Sequence, residues 1–324
     1  MIENESLGQR LAAGDRGALA RLISWAENGD PRFASALAPV WARVGRAWRN
    51  GVTGPPGAGK STLVNALAGA LRGADKRVGI LAVDPTSPFT GGALLGDRIR
   101  MEERSSDAGV FIRSMASRGS HGGLSRAAVD ACDAMDIAGI DEILLETVGV
   151  GQAEFDVMSA VDTVVVVLCP GAGDGVQAMK AGILEVADVL VVNKSDVAGA
   201  DRLVLDLEES VAARLGRARE AKGGWKAPVV AASAALGRNI DGLVGAIAAH
   251  RAHLERCGLA RARRERRLEQ VRRVMAQHLD DVLWGAGGVR EAAERDLAAG
   301  VPPYDVASRL AARVLRGATE SSRA

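Results

Sequence analysis

Hydrophobic positions change their period twice along the chain. Leu7, Leu11, Leu19, Leu22 and Ile23 recur at helical spacing with charge between them, which predicts a helical N-terminal extension over residues 1–45. From 46 to 250 the apolar positions gather into short runs: Val78–Val83, Val110–Ile112, Glu142–Leu145, Thr163–Leu168, Val189–Val192 and Pro228–Ala231. Helical stretches separate them. Runs that are apolar on both faces belong to a parallel sheet covered by helices, so the expected fold class is α/β, with a doubly wound, mainly parallel sheet. After 250 the strand-like runs stop. Leu268, Val271, Met275, Leu279, Val282 and Leu283 mark one helical stripe that Gly285–Gly288 ends. Further helices are expected over 289–299 and 304–316, the second behind Pro302 and Pro303 with Asp305 in its first turn. Three segments result: an N-terminal helical extension 1–45, an α/β domain 46–250 and a C-terminal helical arm 251–324.

Composition narrows the class. The 324 residues are 48% hydrophobic and 25% charged, enough for a real core, so disordered and collagen-like chains are excluded. A net charge of +1 provides no global field toward nucleic acid or an anionic membrane. The one dense basic run has nine Arg against three Glu between Arg251 and Arg273. Its nearest aromatic is Trp284, which argues against nucleic acid and for a solvated helix face beside the apolar stripe, with a partner contact as the alternative. MIENESLGQR has no apolar leader core and no run reaches a membrane span, so a cytoplasmic protein is expected. Cys132, Cys169 and Cys257 form no CxxC pair. His250 and His253, at i,i+3 spacing without a third ligand, read as a solvated helix end.

Two motifs carry recognisable chemistry. Gly54-Pro55-Pro56-Gly57-Ala58-Gly59-Lys60-Ser61 satisfies G-x-x-x-x-G-K-[ST] and runs through Thr62 into a helix ending near Leu71. Its glycines let backbone N–H groups converge on a phosphate, Lys60 reaches the β- and γ-phosphates, and Ser61 offers a hydroxyl to Mg²⁺. The preceding stretch, Arg46–Thr53, has few β-branched residues and makes a weak strand. Asn193-Lys194-Ser195-Asp196 follows Val189–Val192 directly, at the strand end where doubly wound sheets bind nucleotides. A carboxylate at Asp196 accepts from guanine N1–H and the 2-amino group, donors that adenine lacks; otherwise the four residues form a loop capped by Asn and Asp. GTP and GDP are therefore the expected substrate and product.

Glu146-Thr147-Val148-Gly149 resembles the DxxG element of G proteins, with Glu for Asp, and Ser233-Ala234 resembles their last guanine-contacting element, where a backbone N–H meets the base oxygen. Val150 stands where Ras-like proteins place a water-orienting Gln, so slow intrinsic hydrolysis is expected, with Asp84, Asp97 and Gln152 as other candidates. The candidate catalytic set is Lys60, Asp84, Asp97, Glu146 and Gln152, and the candidate Mg²⁺ ligands are Ser61, Asp84, Asp97 and Glu146.

Beyond these motifs, Val83 to Gly92, Leu95-Gly96-Asp97-Arg98 and Glu146 to Gln152 look like the MeaB/ArgK family of G-protein chaperones for adenosylcobalamin-dependent acyl-CoA mutases, a resemblance running from about residue 15 to about 315. It implies a P-loop GTPase core of the signal-recognition-particle and nickel-insertase superclass, a homodimer made by the helical arm, and a methylmalonyl-CoA mutase or relative as partner. No nucleic acid or membrane partner is implied. Gly171 to Lys180, including Asp174 and Gln177, matches the family's mobile loop coupling nucleotide to mutase; without the family it is a flexible turn. Ser120-His121-Gly122-Gly123-Leu124 matches a segment near the switches, or a plain helix entry. Competing functions are a nickel-inserting metallochaperone, which predicts a His-rich tail or Cys-His cluster absent from the sequence, and a small-molecule kinase or transport-associated ATPase, which predicts ATP preference against Asn193–Asp196.

Overall fold

The computed structural model describes residues 2–84, 106–116, 123–147, 160–171, 185–213, 224–286 and 288–321. Two compact units divide the chain, Met1–Arg263 and Arg264–Ala324. In the first, helices α1 (Ile2–Ala12), α2 (Arg16–Glu27) and α3 (Arg32–Leu37) precede the sheet. Asp15 caps α2 by accepting from the N–H groups of Gly17 and Ala18 at 2.8 and 3.1 Å. The expected apolar stripe faces inward: Leu7, Leu11, Leu19, Leu22 and Ile23 are all buried.

Seven strands follow: β1 (Trp48–Thr53), β2 (Val78–Asp84), β3 (Val110–Ala116), β4 (Glu142–Thr147), β5 (Thr163–Leu168), β6 (Val189–Val192) and β7 (Val229–Ala231). Their order is β3-β2-β4-β1-β5-β6-β7, and every neighbouring pair is parallel. Helices α4 (Lys60–Gly73), α5 (Gly123–Ile137), α6 (Ala200–Ala213) and α7 (Ile240–Cys257) cover the two faces. The period-2 side-chain alternation of strands splits the core accordingly. Leu81, Ile143, Leu145 and Val166 pack with residues of α1, α2, α5 and α6, whereas Ile80, Leu144, Val165 and Val167 pack with α4 and α7.

The stretch that reads as a weak strand is the central one. All six residues of β1 are buried despite its polar composition. Distant side chains make that possible, because a buried polar group is tolerated when it is paired. Arg49 donates to Asp133 at 2.6 Å, and its backbone N–H donates to Asp162 at 3.2 Å. Asn50 donates to Glu142 at 3.0 Å. Asp136 accepts the N–H groups of Gly45, Arg46 and Ala47 at 2.7, 3.1 and 2.9 Å, fixing the approach to β1.

Two further expectations change at the amino-terminal ends of these central strands. His250 is buried rather than solvated, with Nδ1 2.9 Å from the Thr163 hydroxyl, which also accepts from Trp48 Nε1 at 3.0 Å. Not all of the basic run is a solvated face. Arg263 donates to Asp162 at 2.8 Å, to the Ala47 carbonyl at 3.0 Å and to the Gly45 carbonyl. The guanidiniums of Arg251 and Arg263 lie over the Trp48 ring, 5.0 and 5.5 Å from its centroid.

Helix α8 (Leu259–Asp280) begins in the first unit and runs into the second. The second unit continues through a π turn, Asp281–Ala286, to α9 (Val289–Ala298) and α10 (Pro303–Ser321), which share a small core of Val289, Ala292, Ala293, Val306 and Leu310. No residue of α8 is buried, and Leu268, Val271, Met275, Leu279 and Val282 are exposed. Among the described residues no helix is long and apolar enough to cross a membrane.

Candidate functional site

The carboxyl ends of β1, β4, β5 and β6 deliver the sequence motifs to one rim of the sheet. β1 ends at Thr53, and the chain turns at once through Gly54 to Gly59 into α4. Two glycines are sterically required there. Gly54 has φ +146, and a Cβ on it would run into the Val167 carbonyl oxygen; Gly59 has φ +84, and a Cβ would stand 2.5 Å from Asn193 Nδ2. Gly59 also occupies the N-cap of α4, where no side chain caps the helix. The first N–H groups of α4 and its dipole then favour an anion such as a phosphate.

Lys60 is buried and donates to the carbonyls of Gly54 and Pro55 at 2.8 and 3.0 Å, which draws the loop around the ammonium. Pro56 and Gly57 form the exposed tip, with Ala58 buried beneath; Thr62 is exposed one residue past Ser61. The Ser61 hydroxyl donates to Glu146 Oε1 at 2.6 Å. A hydroxyl and a carboxylate at this distance are two hard oxygen donors of the kind Mg²⁺ takes. Asp84 is the last residue of β2, level with Ala116 of β3.

The base-side loop is tied to the phosphate loop by Asn193. Its Nδ2 donates to the Ala58 carbonyl at 2.8 Å, and its Oδ1 accepts the Ala234 N–H at 3.0 Å. Ala234 belongs to the Ser233-Ala234 element whose backbone is expected to meet the base oxygen. Lys194, held at φ +58, donates to the Gly57 carbonyl at 2.9 Å. The exposed Asp196 accepts from the buried Ser233 hydroxyl; this bond and then its own backbone N–H hold its carboxyl below the usual carboxylate range. Asp196 is thereby an ionised acceptor directed by Ser233, suited to adjacent N–H donors.

The structure therefore brings Gly54 to Thr62, Glu146, Asn193, Lys194, Asp196, Ser233 and Ala234 to one rim, together with the end of β2. Gly171 lies just beyond β5 with φ +77. Asp97, Gly149, Val150, Gln152, Asp174, Gln177 and Lys180, like His121, lie outside the described residues. Two site-adjacent residues have no role in the motif reading: Thr53, before the phosphate loop, and Thr147, within the Glu146–Gly149 motif, whose hydroxyls meet at 3.0 Å. The available signal was positional, since each is the last residue of its strand.

Known proteins resemble this chain in fold and sequence. A crystal structure described as that of a LAO/AO transport system kinase superposes with a TM-score of 0.71 at 26% identity, covering 97% of this chain and 98% of that one. A Pyrococcus horikoshii protein named as a GTPase is 48% identical over 84% of this chain and 86% of its own. GTPase ArgK of Escherichia coli is 35% identical over 84% of this chain and 85% of its own. The profile of the family described as methylmalonyl-CoA mutase-associated GTPase MeaB matches residues 19–287. With the phosphate loop, the Ser61–Glu146 pair and the Asn193–Asp196 loop on one rim, the chain belongs to the MeaB family and is a GTP-hydrolysing enzyme.

Proposed function

We propose that this GTPase is a chaperone of an adenosylcobalamin-dependent acyl-CoA mutase of the methylmalonyl-CoA mutase type, gating cofactor loading and protecting the mutase from inactivation. The observation that carries the reading is the family itself, described as mutase-associated and matched through the α/β domain into the helical arm. Lys60 and the N-terminus of α4 seat the phosphates, and Asp196 reads guanine. Ser61 and Glu146 would hold Mg²⁺, with Asp84 and Asp97 as further candidate oxygen donors from the sequence. When bound, the ion neutralises charge developing on the β- and γ-phosphate oxygens. Val150 has no group to orient water, which leaves that task to Asp84, Asp97 or Gln152 and keeps basal turnover slow. The mutase accelerates it by favouring the productive arrangement through the loop of Gly171, Asp174, Gln177 and Lys180.

Single-turnover GTP hydrolysis, measured with and without methylmalonyl-CoA mutase, tests this. A rise of about 100-fold is expected, equivalent to roughly 2.7 kcal/mol of differential stabilisation. Asp174→Ala and Lys180→Ala should blunt the stimulation while sparing the basal rate. No stimulation by the mutase would remove it as the partner.

The proposed quaternary state is a homodimer made by the arm, 251–324. The exposed stripe of Leu268, Val271, Met275, Leu279 and Val282 supports it, because such a row on a helix with no buried residue gains by covering itself with a second copy. Light scattering of the full chain at micromolar concentration should give twice the 33.6 kDa subunit mass. A monomer mass would reject the dimer.

A further inference from the structure

We infer that the hydroxyl pair Thr53–Thr147 is a positioning device that keeps Ser61 and Glu146 in register for metal-dependent nucleotide binding. The inference rests on the reading of Ser61 and Glu146 as Mg²⁺ ligands. The backbone pairing of β1 with β4 ends at Val52 opposite Glu146. Beyond that level β4 pairs through Thr147 with Val83 of β2, and β1 pairs through Thr53 with Val166 of β5. The two strands therefore part company where each is about to deliver its chemistry: β1 into the phosphate loop, β4 into the segment after Glu146.

At that parting point Thr147 Oγ1 donates to Thr53 Oγ1 at 3.0 Å, with the residues 0% and 3% exposed. Alternation along the strands puts both threonines on the sheet face opposite Glu146, since Val52 and Leu144 pack on the α4 side. The pair thus bridges β1 and β4 without occupying the space where Ser61 meets Glu146. Its consequence is geometric. Thr53 sets the root of the loop that leads into α4 and Ser61, and Thr147 is bonded to the residue carrying the carboxylate. The 2.6 Å separation of Ser61 Oγ and Glu146 Oε1 spans elements that the hydroxyl bond yokes together. Ligand pairs held by such outer contacts lose affinity when the contacts go, although no ligand atom has been removed.

Valine is isosteric with threonine, so Thr53→Val and Thr147→Val remove the hydroxyls and keep the shape. Calorimetric GDP titration with Mg²⁺ and with chelator gives the readout, the gain in GDP affinity that Mg²⁺ confers. Each variant should lose about 2- to 10-fold of that gain, the range expected for one buried hydrogen bond, while GDP affinity in chelator stays within 2-fold of wild type. Thr147→Ser should restore the gain. The double valine variant should lose less than the two single losses combined, because the bond between the hydroxyls is common to both substitutions.

A merely structural role would lower thermal stability and leave the Mg²⁺ gain intact; that result, in folded variants of a protein whose wild type shows the gain, overturns the inference. An equal loss of GDP affinity with and without Mg²⁺ also overturns it. Should the wild type itself gain nothing from Mg²⁺, the metal-ligand reading of Ser61 and Glu146 falls, and this inference with it.

Discussion

Wild-type protein is expected to bind GDP more tightly than ADP by a factor on the order of 10² to 10⁴, and Asp196→Asn to abolish most of that margin. Two charged hydrogen bonds, from guanine N1–H and the 2-amino group, are worth about 1.5 to 3 kcal/mol each. Adenine offers neither donor. An Asn side chain still accepts from N1–H, but its amide hydrogens meet the 2-amino hydrogens, so one bond becomes a donor-donor clash. Xanthosine diphosphate, which carries an oxygen at that position, should recover affinity in the variant. Because the Ser233 hydroxyl and the Asp196 backbone N–H keep the carboxyl below its usual range, the preference should persist to mildly acidic pH. Isothermal titration with the three diphosphates measures all of this. Equal affinities of the wild type for GDP and ADP would refute the role of Asp196.

A second large effect lies at the amino-terminal ends of the strands, opposite the nucleotide rim. Burial pushes the Glu142 carboxyl from 4.5 up to about 7, against the hydrogen bond from Asn50 and the charge of Arg251. The folded state thus holds this proton more tightly than the unfolded chain does. The resulting stability is fully present below about pH 4.5 and is lost as pH rises through about 7. At about 1.4 kcal/mol for each pH unit between those values, the loss amounts to about 3 kcal/mol. Glu142→Gln imitates the protonated side chain, and its amide can serve the Asn50 Oδ1, which is buried without a hydrogen-bond partner. Denaturant unfolding at pH 4.5 and pH 8 should show the variant gaining on the wild type by that amount at the higher pH. A difference between the two proteins that does not change with pH would place the Glu142 proton elsewhere.

Where single residues and their near neighbours determine the outcome, the sequence was informative. The phosphate loop demands glycine at Gly54 and Gly59 because a close carbonyl and a close amide leave no room for a side chain, and that demand is local. β2, β4, β5 and β6 announce themselves because strands covered on both faces must be apolar. β1 does not. Its burial depends on Asp133, Asp162 and Glu142, which lie 84 to 113 residues away and are invisible to any local window. The settings of His250 and Arg263 are hidden for the same reason: their partners, Thr163 and Asp162, lie 87 and 101 residues away in the sequence. Asn193 was legible as part of a base-reading loop, but its hold on Ala58 needed the fold to bring two strand ends together.

The strand order also dictates a sequence of events during synthesis. β1 is made early, yet its two neighbours are β4, beginning at Glu142, and β5, beginning at Thr163. No hydrogen-bonded partner for the strand that roots the phosphate loop exists until the ribosome has passed those residues, and closing so long a loop is slow. During that wait Arg49 and Asn50 act as gatekeepers. A charge and an amide in the middle of an orphan strand discourage pairing with the wrong edge, and become tolerable only when Asp133, Asp162 and Glu142 arrive with the correct partners.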